Sequence, residues 1–131
     1  MNSGDIGVVM KSAKQQHKSF VICKRGNSFI PLSLADILIL HHHAGVNFAV
    51  DRLGNKYVVT IPLGTLQQLL DNRVFFRVNR KMILSIHSIK EFKPIAFGKI
   101  SIELKHQSWY KDDIIVSQVN SPAFKNWIHS L

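Results

Sequence analysis

Phe75-Phe-Arg-Val-Asn-Arg-Lys-Met-Ile-Leu-Ser-Ile-His-Ser-Ile-Lys-Glu-Phe-Lys-Pro94 places its apolar residues in short runs, Phe75 and Phe76, then Met82 to Leu84 with Ile86, then Ile89 and Phe92. The polar cluster Arg77, Asn79, Arg80, Lys81 lies between the first two runs. Short apolar runs broken by a few polar residues predict two strands joined by a tight basic loop. Asn can hydrogen-bond adenine in bidentate fashion, Arg can do the same to guanine, and Lys adds a guanine or phosphate contact, so such a loop suits a groove reader. An equally simple reading is a solvated hairpin turn whose polar residues keep the loop in water.

Outward from this stretch, the short strands continue. Phe20–Lys24 and Phe29–Leu32 flank Arg25-Gly26-Asn27-Ser28, where Gly and Asn suit the positive φ of a tight hairpin turn. Ala35–Leu40 is predicted as a buried strand, followed by a loop through His41–Asn47, a strand over Phe48–Arg52, a turn at Leu53–Lys56 and a strand at Tyr57–Ile61. Pro62–Asp71 breaks the pattern: Leu66, Leu69 and Leu70 share one helical face, with Thr65 as a candidate cap. Lys99–Leu104 alternates apolar and polar residues cleanly. After a polar loop from Lys105 to Asp113 and a strand at Ile114–Ser117, Ser121 and Pro122 predict the start of a final helix that buries Phe124, Trp127, Ile128 and Leu131. Many short strands at close spacing define a mainly β sandwich or barrel-like domain.

The chain has 131 residues, enough for one domain with a real core. Residues 1–17 show no sustained period and are expected to be a flexible leader or interdomain linker, with the domain spanning 18–131. Lys and Arg outnumber Asp and Glu by 17 to 8, a net charge of +9. That balance favours polyanionic partners, because each phosphate neutralised releases counterions. Between Asn72 and Lys105 eight basic residues stand against two acidic ones, a basic stripe of the kind a phosphate backbone meets. No run of 18 apolar residues and no secretory-signal order appears, so a soluble cytoplasmic protein with no membrane insertion is expected.

Other constellations point away from catalysis. Cys23 is the single cysteine and lies in a strand pattern, where a thiol is usually a small core residue. His41, His42 and His43 are consecutive, and in a strand they would face opposite sides, so no metal or other cofactor is expected from them. There is no Gly-x-Ser-x-Gly elbow, no phosphate loop of Walker type and no acid/base pair beyond Asp112-Asp113 in a polar loop. An enzyme is not expected.

The aromatic pair Phe75-Phe76, the Arg77-x-Asn79-Arg80 loop, the strand with Ile83, Leu84 and Ser85, and Ile89 beyond it resemble the core signature of LytTR-type DNA-binding domains, the output domains of bacterial response regulators. The resemblance runs from about Phe20 to Leu131. It implies an elongated sandwich of three small antiparallel sheets with one or two short helices, reading double-stranded DNA through loops in the major groove and regulating transcription. It also implies a dimer on paired half-sites, an upstream receiver domain and a sensor histidine kinase. By alignment to the family's three DNA-reading loops, Asn47 falls in the first, Asn79, Arg80 and Lys81 form the second with Arg77 on phosphates, and Ser117 and Gln118 lie in the third. The family commonly has Arg where this chain has Gln118; Gln can still pair with adenine but loses the guanine fork and a charge. The alternative is a basic β-module for RNA or single-stranded nucleic acid. Such modules expose stacking aromatics on a sheet face, whereas Phe75, Phe76, Phe124 and Trp127 sit in patterns of burial and only Trp109 and Tyr110 lie in a polar loop.

Overall fold

The structure, a computed structural model, describes residues 20–106 and 113–131. The expected leader at 1–17 and the loop residues Trp109, Tyr110 and Asp112 lie outside them. The described chain forms β1 (Phe20–Arg25), β2 (Ser28–Ser33), β3 (Ile37–His43), β4 (Val46–Asp51), β5 (Lys56–Val59), α1 (Leu63–Leu69), β6 (Phe75–Asn79), β7 (Met82–Ser85), β8 (Ile89–Ile95), β9 (Lys99–Leu104), β10 (Ile114–Val116) and α2 (Ser121–His129). All strand pairs are antiparallel.

Seven strands make one sheet in the order β2-β1-β5-β4-β3-β7-β6, and β10-β9-β8 make a second. Two hydrogen-bonded sheets thus stand where three small ones were expected. The reason lies in two narrow seams. Cys23 and Lys24 pair with Val59 and Val58, and Ile39, Leu40 and His41 pair with Leu84, Ile83 and Met82. These short ladders make the seven strands one continuous sheet.

The central strands β3 and β7 are apolar on both faces because both are covered, which explains their unbroken hydrophobic runs. On one face Ile37, Leu40 and Ile83 pack with Cys23, Tyr57, the α1 leucines Leu63 and Leu66, and Leu70 just past the helix. On the other, Ile39, Met82 and Leu84 meet the second sheet (Ile100, Ile102, Ile114) and α2 (Phe124, Trp127). Phe124 is fully buried, edge-on to Phe76 and Phe92 with ring centroids 5.6 and 5.2 Å away. Burying a ring of this size stabilises the fold by roughly 2–3 kcal/mol. The Trp127 indole stacks on Phe76 at 5.2 Å and donates its N–H to the Arg73 carbonyl at 3.1 Å.

Local departures from the sequence expectations have physical causes. The strand expected at Ala35–Leu40 begins later, after a single 3-10 turn at Leu34–Asp36, because Arg52 donates Nε and Nη2 to the Ala35 carbonyl at 3.2 and 2.9 Å and holds that turn. The histidines expected in a loop extend the strand instead, since His41 and His42 pair across to Phe48 and Asn47. Helix α1 starts at Leu63, ahead of Thr65, which therefore lies inside the helix and makes no cap. In α2, Asn120 rather than Ser121 takes the capping position, and the Ser121 hydroxyl donates to the carbonyls of Gly98 (2.7 Å) and Ser117 (2.9 Å). Leu131, expected on the buried face, lies beyond the helix and is exposed.

Asp51 organises the turn between β4 and β5. Its carboxylate accepts from the Leu53 and Asn55 amides, each at 2.9 Å, from Asn55 Nδ2 at 3.2 Å and from the Tyr57 hydroxyl at 2.7 Å. Burial pushes its pKa up, but these bonds outweigh burial and hold it below the usual carboxylate value. Cys23 is buried in the α1-side core, and desolvation pushes its thiol up to about 11, so it is protonated and unreactive near neutrality.

Candidate nucleic-acid interface

Strands β3, β6, β8 and β10 all run toward the same end of the molecule, and four turns gather there. The turn between β6 and β7 is central. Asn79 pairs with Met82, leaving Arg80 and Lys81 as a two-residue turn. Neither has positive φ, so the turn is not the mirror-image type that matches strand twist. The register shift between Arg77 and Asn79 absorbs the mismatch. Asn79 Oδ1 accepts from the Lys81 backbone N–H at 2.8 Å, an Asx turn that fixes the loop from within. Lys81 in turn offers its carbonyl to the His42 N–H at 2.8 Å, tying the loop to β3.

Arg77 braces the same loop. Its Nη2 donates to the Arg80 carbonyl at 2.6 Å and its Nη1 to Gln67 Oε1 on α1 at 3.3 Å. Arg80 and Lys81 are left exposed, side by side, at the tip. Of the other basic residues in the stripe, Arg73 is ion-paired with Asp71 at 3.2 Å and Lys90 with Glu103 at 3.4 Å.

Asn47, in β4 beside the turn Ala44-Gly45, is half-buried. Its Oδ1 lies 2.6 Å from His42 Nδ1, and its Nδ2 donates to the Ile61 carbonyl at 2.9 Å. The carboxamide thus pins the segment leading into α1 and is engaged at both ends. His42 faces this side, while His41 and His43 stack on the other at 5.9 Å, as strand alternation requires. His41 is buried. Its pKa is held below the ordinary imidazole value by burial first, then by His43, Lys56, His42 and Lys81.

Ser117 and Gln118 begin the turn between β10 and α2, and both are exposed. The Ser117 hydroxyl accepts the Asn120 N–H at 3.3 Å. Gln118 packs on Gly98, where an added Cβ would come 3.0 Å from Gln118 Cγ; with φ of +70° as well, Gly98 is required there. A hollow of about 380 Å³ joins this turn to the central one, lined by His41, Asn79, Arg80, Lys81, Met82 and Asn120. The structure therefore brings together Asn79, Arg80 and Lys81 and sets His41 and Asn120 beside them. Neither of those two was legible as a site residue: His41 reads as one of a histidine run, and Asn120 as a helix-flanking polar residue whose side chain makes no cap bond.

The exposed aromatics also differ from expectation. Phe20, 55% exposed, and Phe29, 71% exposed, lie with Ile22 and Pro31 on the outer face of the β1–β2 hairpin, and Lys24 sits 5.9 Å from the Phe29 ring centre. The alternation of β1 and β2 marks two faces, but only the position of the hairpin at the margin of the large sheet leaves one of them bare.

Among the described residues no group of three His, Cys, Asp or Glu side chains is placed to hold a metal ion, and no helix is long and apolar enough to cross a membrane.

A mainly β chain that presents Arg80 and Lys81 on one exposed turn, with further turns beside it, suits the reading of nucleic acid through loops. The family profile of the LytTr DNA-binding domain matches residues 27–129, and the chain belongs to that family of DNA-binding domains. Its fold is similar to the LytTr DNA-binding domain of a response regulator from Bacillus cereus, with a TM-score of 0.72 at 19% identity over 85% of this chain and 97% of that one. No curated protein sequence matches the chain.

Proposed function

We propose that the chain binds double-stranded DNA sequence-specifically, seating the β6–β7 turn in a major groove, and regulates transcription as the output half of a two-component response regulator. The observation that carries this reading is the pair Arg80 and Lys81, exposed at the tip of a turn stiffened by Asn79, Arg77 and His42. A rigid turn holds its side chains at low entropic cost, which favours base readout over loose phosphate contact. In this reading Arg80 pairs with guanine, Lys81 contacts a base or phosphate, and Asn79, whose Oδ1 is held by the Lys81 N–H, adds a contact through its amide N–H. Arg77 acts mainly by holding the turn. Ser117 and Gln118 supply a flanking contact, and Asn47 shapes the first loop. The chain works in the cytoplasm without catalysis or cofactor, pairs with a second copy on repeated half-sites, and takes its signal from a receiver domain addressed by a sensor histidine kinase.

A second reading has its own observation. Phe20 and Phe29 beside Lys24 resemble the stacking platforms that hold single-stranded nucleic acid. Selection from random duplexes at near-physiological salt, with RNA and single strands as competitors, separates the two. Enrichment of a duplex motif, most tellingly as repeats about one helical turn apart, supports the regulator. Failure of any duplex to enrich, with single strands or RNA competing best, replaces it with the platform.

A further inference from the structure

The turn joining β8 and β9 (Ala96–Gly98) holds Phe97 with φ 62° and ψ 36°, a left-handed conformation that side chains other than Gly, Asn and Asp adopt at a cost. Ala44 also has positive φ, in the β3–β4 turn, so a non-glycine residue is tolerated in such turns. Phe97 differs in what it carries: a large ring that is 83% exposed. Local stability favours Asn or Gly at this position, and a water-exposed phenyl returns nothing to the fold.

The surroundings indicate what the ring meets. The Gly98 carbonyl accepts the Ser121 hydroxyl at 2.7 Å, and Gly98 packs on Gln118, so this turn is fixed to the Ser117–Asn120 turn. Val119 in that turn is 86% exposed. The next residue, Asn120, lines the hollow that also holds Arg80 and Lys81. An aromatic ring and a valine thus stand out from two joined turns, one of which borders the turn assigned to the major groove. The exposed apolar group of that groove is the thymine C5 methyl, which aliphatic and aromatic side chains read by contact.

We infer that Phe97 and Val119, carried on two turns that Gly98 ties together, form a fourth reading element that recognises thymine methyl groups next to the bases read by Arg80. This element rests on the duplex-binding reading above, and it supplies sequence information at a flank where Gln118 lacks a guanidinium fork.

The test uses the full chain and the duplex that selection returns, with each thymine replaced in turn by deoxyuridine. Wild-type protein loses about 4-fold in affinity at one or two adjacent thymines on the flank, the worth of one methyl group taken from water. Phe97→Asn, which suits the left-handed turn, melts no lower than wild type, binds the thymine site about as weakly as wild type binds the uracil site, and no longer distinguishes the two. Val119→Ser reduces the same ratio in part. The inference is overturned if Phe97→Asn keeps the wild-type ratio, if no thymine in the selected site responds to loss of its methyl, or if the substitution leaves DNA binding intact and changes only the sedimentation of the free chain. Should the wild-type chain select no duplex at all, the duplex reading has itself failed, a result distinct from an unchanged thymine-to-uracil ratio.

Discussion

Two hairpin turns lie side by side at one end of the large sheet, joined by the bond from the His42 N–H to the Lys81 carbonyl, and they use their polar residues in opposite ways. In the β6–β7 turn the side chains that could read a base stand exposed, and the bonds that stiffen it come from Arg77, the Asn79 oxygen and the backbone of β3. In the β3–β4 turn the tip is Ala44 and Gly45, and the one amide that could read a base, Asn47, is bonded to His42 and Ile61. On the function proposed above, the first turn reads bases and is supported from below, and the second is a support. An Asn beside a turn serves either purpose, and the partners of its carboxamide decide which.

That division makes stability and affinity separable, and Asn47 is expected to give the largest effect on the folded state. Asn47→Ala removes two hydrogen bonds and leaves the Ile61 carbonyl and the His42 ring short of a partner, at a cost of about 2 kcal/mol. Chemical denaturation should show the loss, while DNA affinity at temperatures where the protein is folded changes little. A large affinity loss with an unchanged unfolding midpoint would make Asn47 a reader after all. Arg80→Ala is expected to do the reverse. Its side chain makes no bond that holds the turn, so the unfolding curve stays in place and specific binding weakens by roughly 1–3 kcal/mol with relaxed preference at one base pair. Equal binding of the variant and wild type would remove Arg80 from the reading set.

Arg77 tests whether the support matters to the reader. Arg77→Lys keeps the charge but loses the planar fork that spans the Arg80 carbonyl and Gln67. About 1 kcal/mol of stability should go, and specific affinity should fall several-fold because the turn is less well held. If lysine substitutes fully in binding, Arg77 acts through its charge on phosphate, and the bracing bond is incidental.

The sequence carried much of this architecture for reasons that can be named. The β9 alternation, the paired runs around Asn79–Lys81 and the Gly-Asn turn of the first hairpin are local signals, set by strand period and turn chemistry. They locate strands and turns to within a residue or two. What a strand pattern does not encode is the layer stacked on it. β7 reads as plainly apolar whether its faces meet one sheet or two, so the joining of seven strands into one sheet through the Cys23–Val59 and Ile39–Leu84 seams was not legible. For the same reason Phe20 and Phe29 read as ordinary strand residues although one face of their hairpin is bare. In the candidate site, Arg80 and Lys81 were legible as the tip of a basic turn because they fall between two apolar runs, a pattern that a solvated hairpin turn also satisfies. The bonding of Asn47 to Ile61, fourteen residues away, and the left-handed Phe97 are tertiary facts without a local signal.

Lys81 gives the smallest of these effects and separates two roles within the β6–β7 turn. The Lys81 backbone is fixed twice, its N–H by Asn79 and its carbonyl by His42. A side-chain truncation therefore leaves the turn in place, and Lys81→Ala should not move the unfolding midpoint. If the ammonium lies on a phosphate, the variant loses affinity about equally for all duplexes, and the slope of log affinity against log salt falls by about 1. If it lies on a guanine edge, the loss is concentrated at one base pair and the slope changes less than the affinity does. Phosphate contact is the expected outcome, because a flexible stem with a point charge suits a mobile, strongly hydrated anion, while the neighbouring Arg80 has the fork that a guanine edge matches. A base-specific loss with an unchanged salt slope would assign both residues of the turn to base reading and leave its phosphate contacts to the flanking turns.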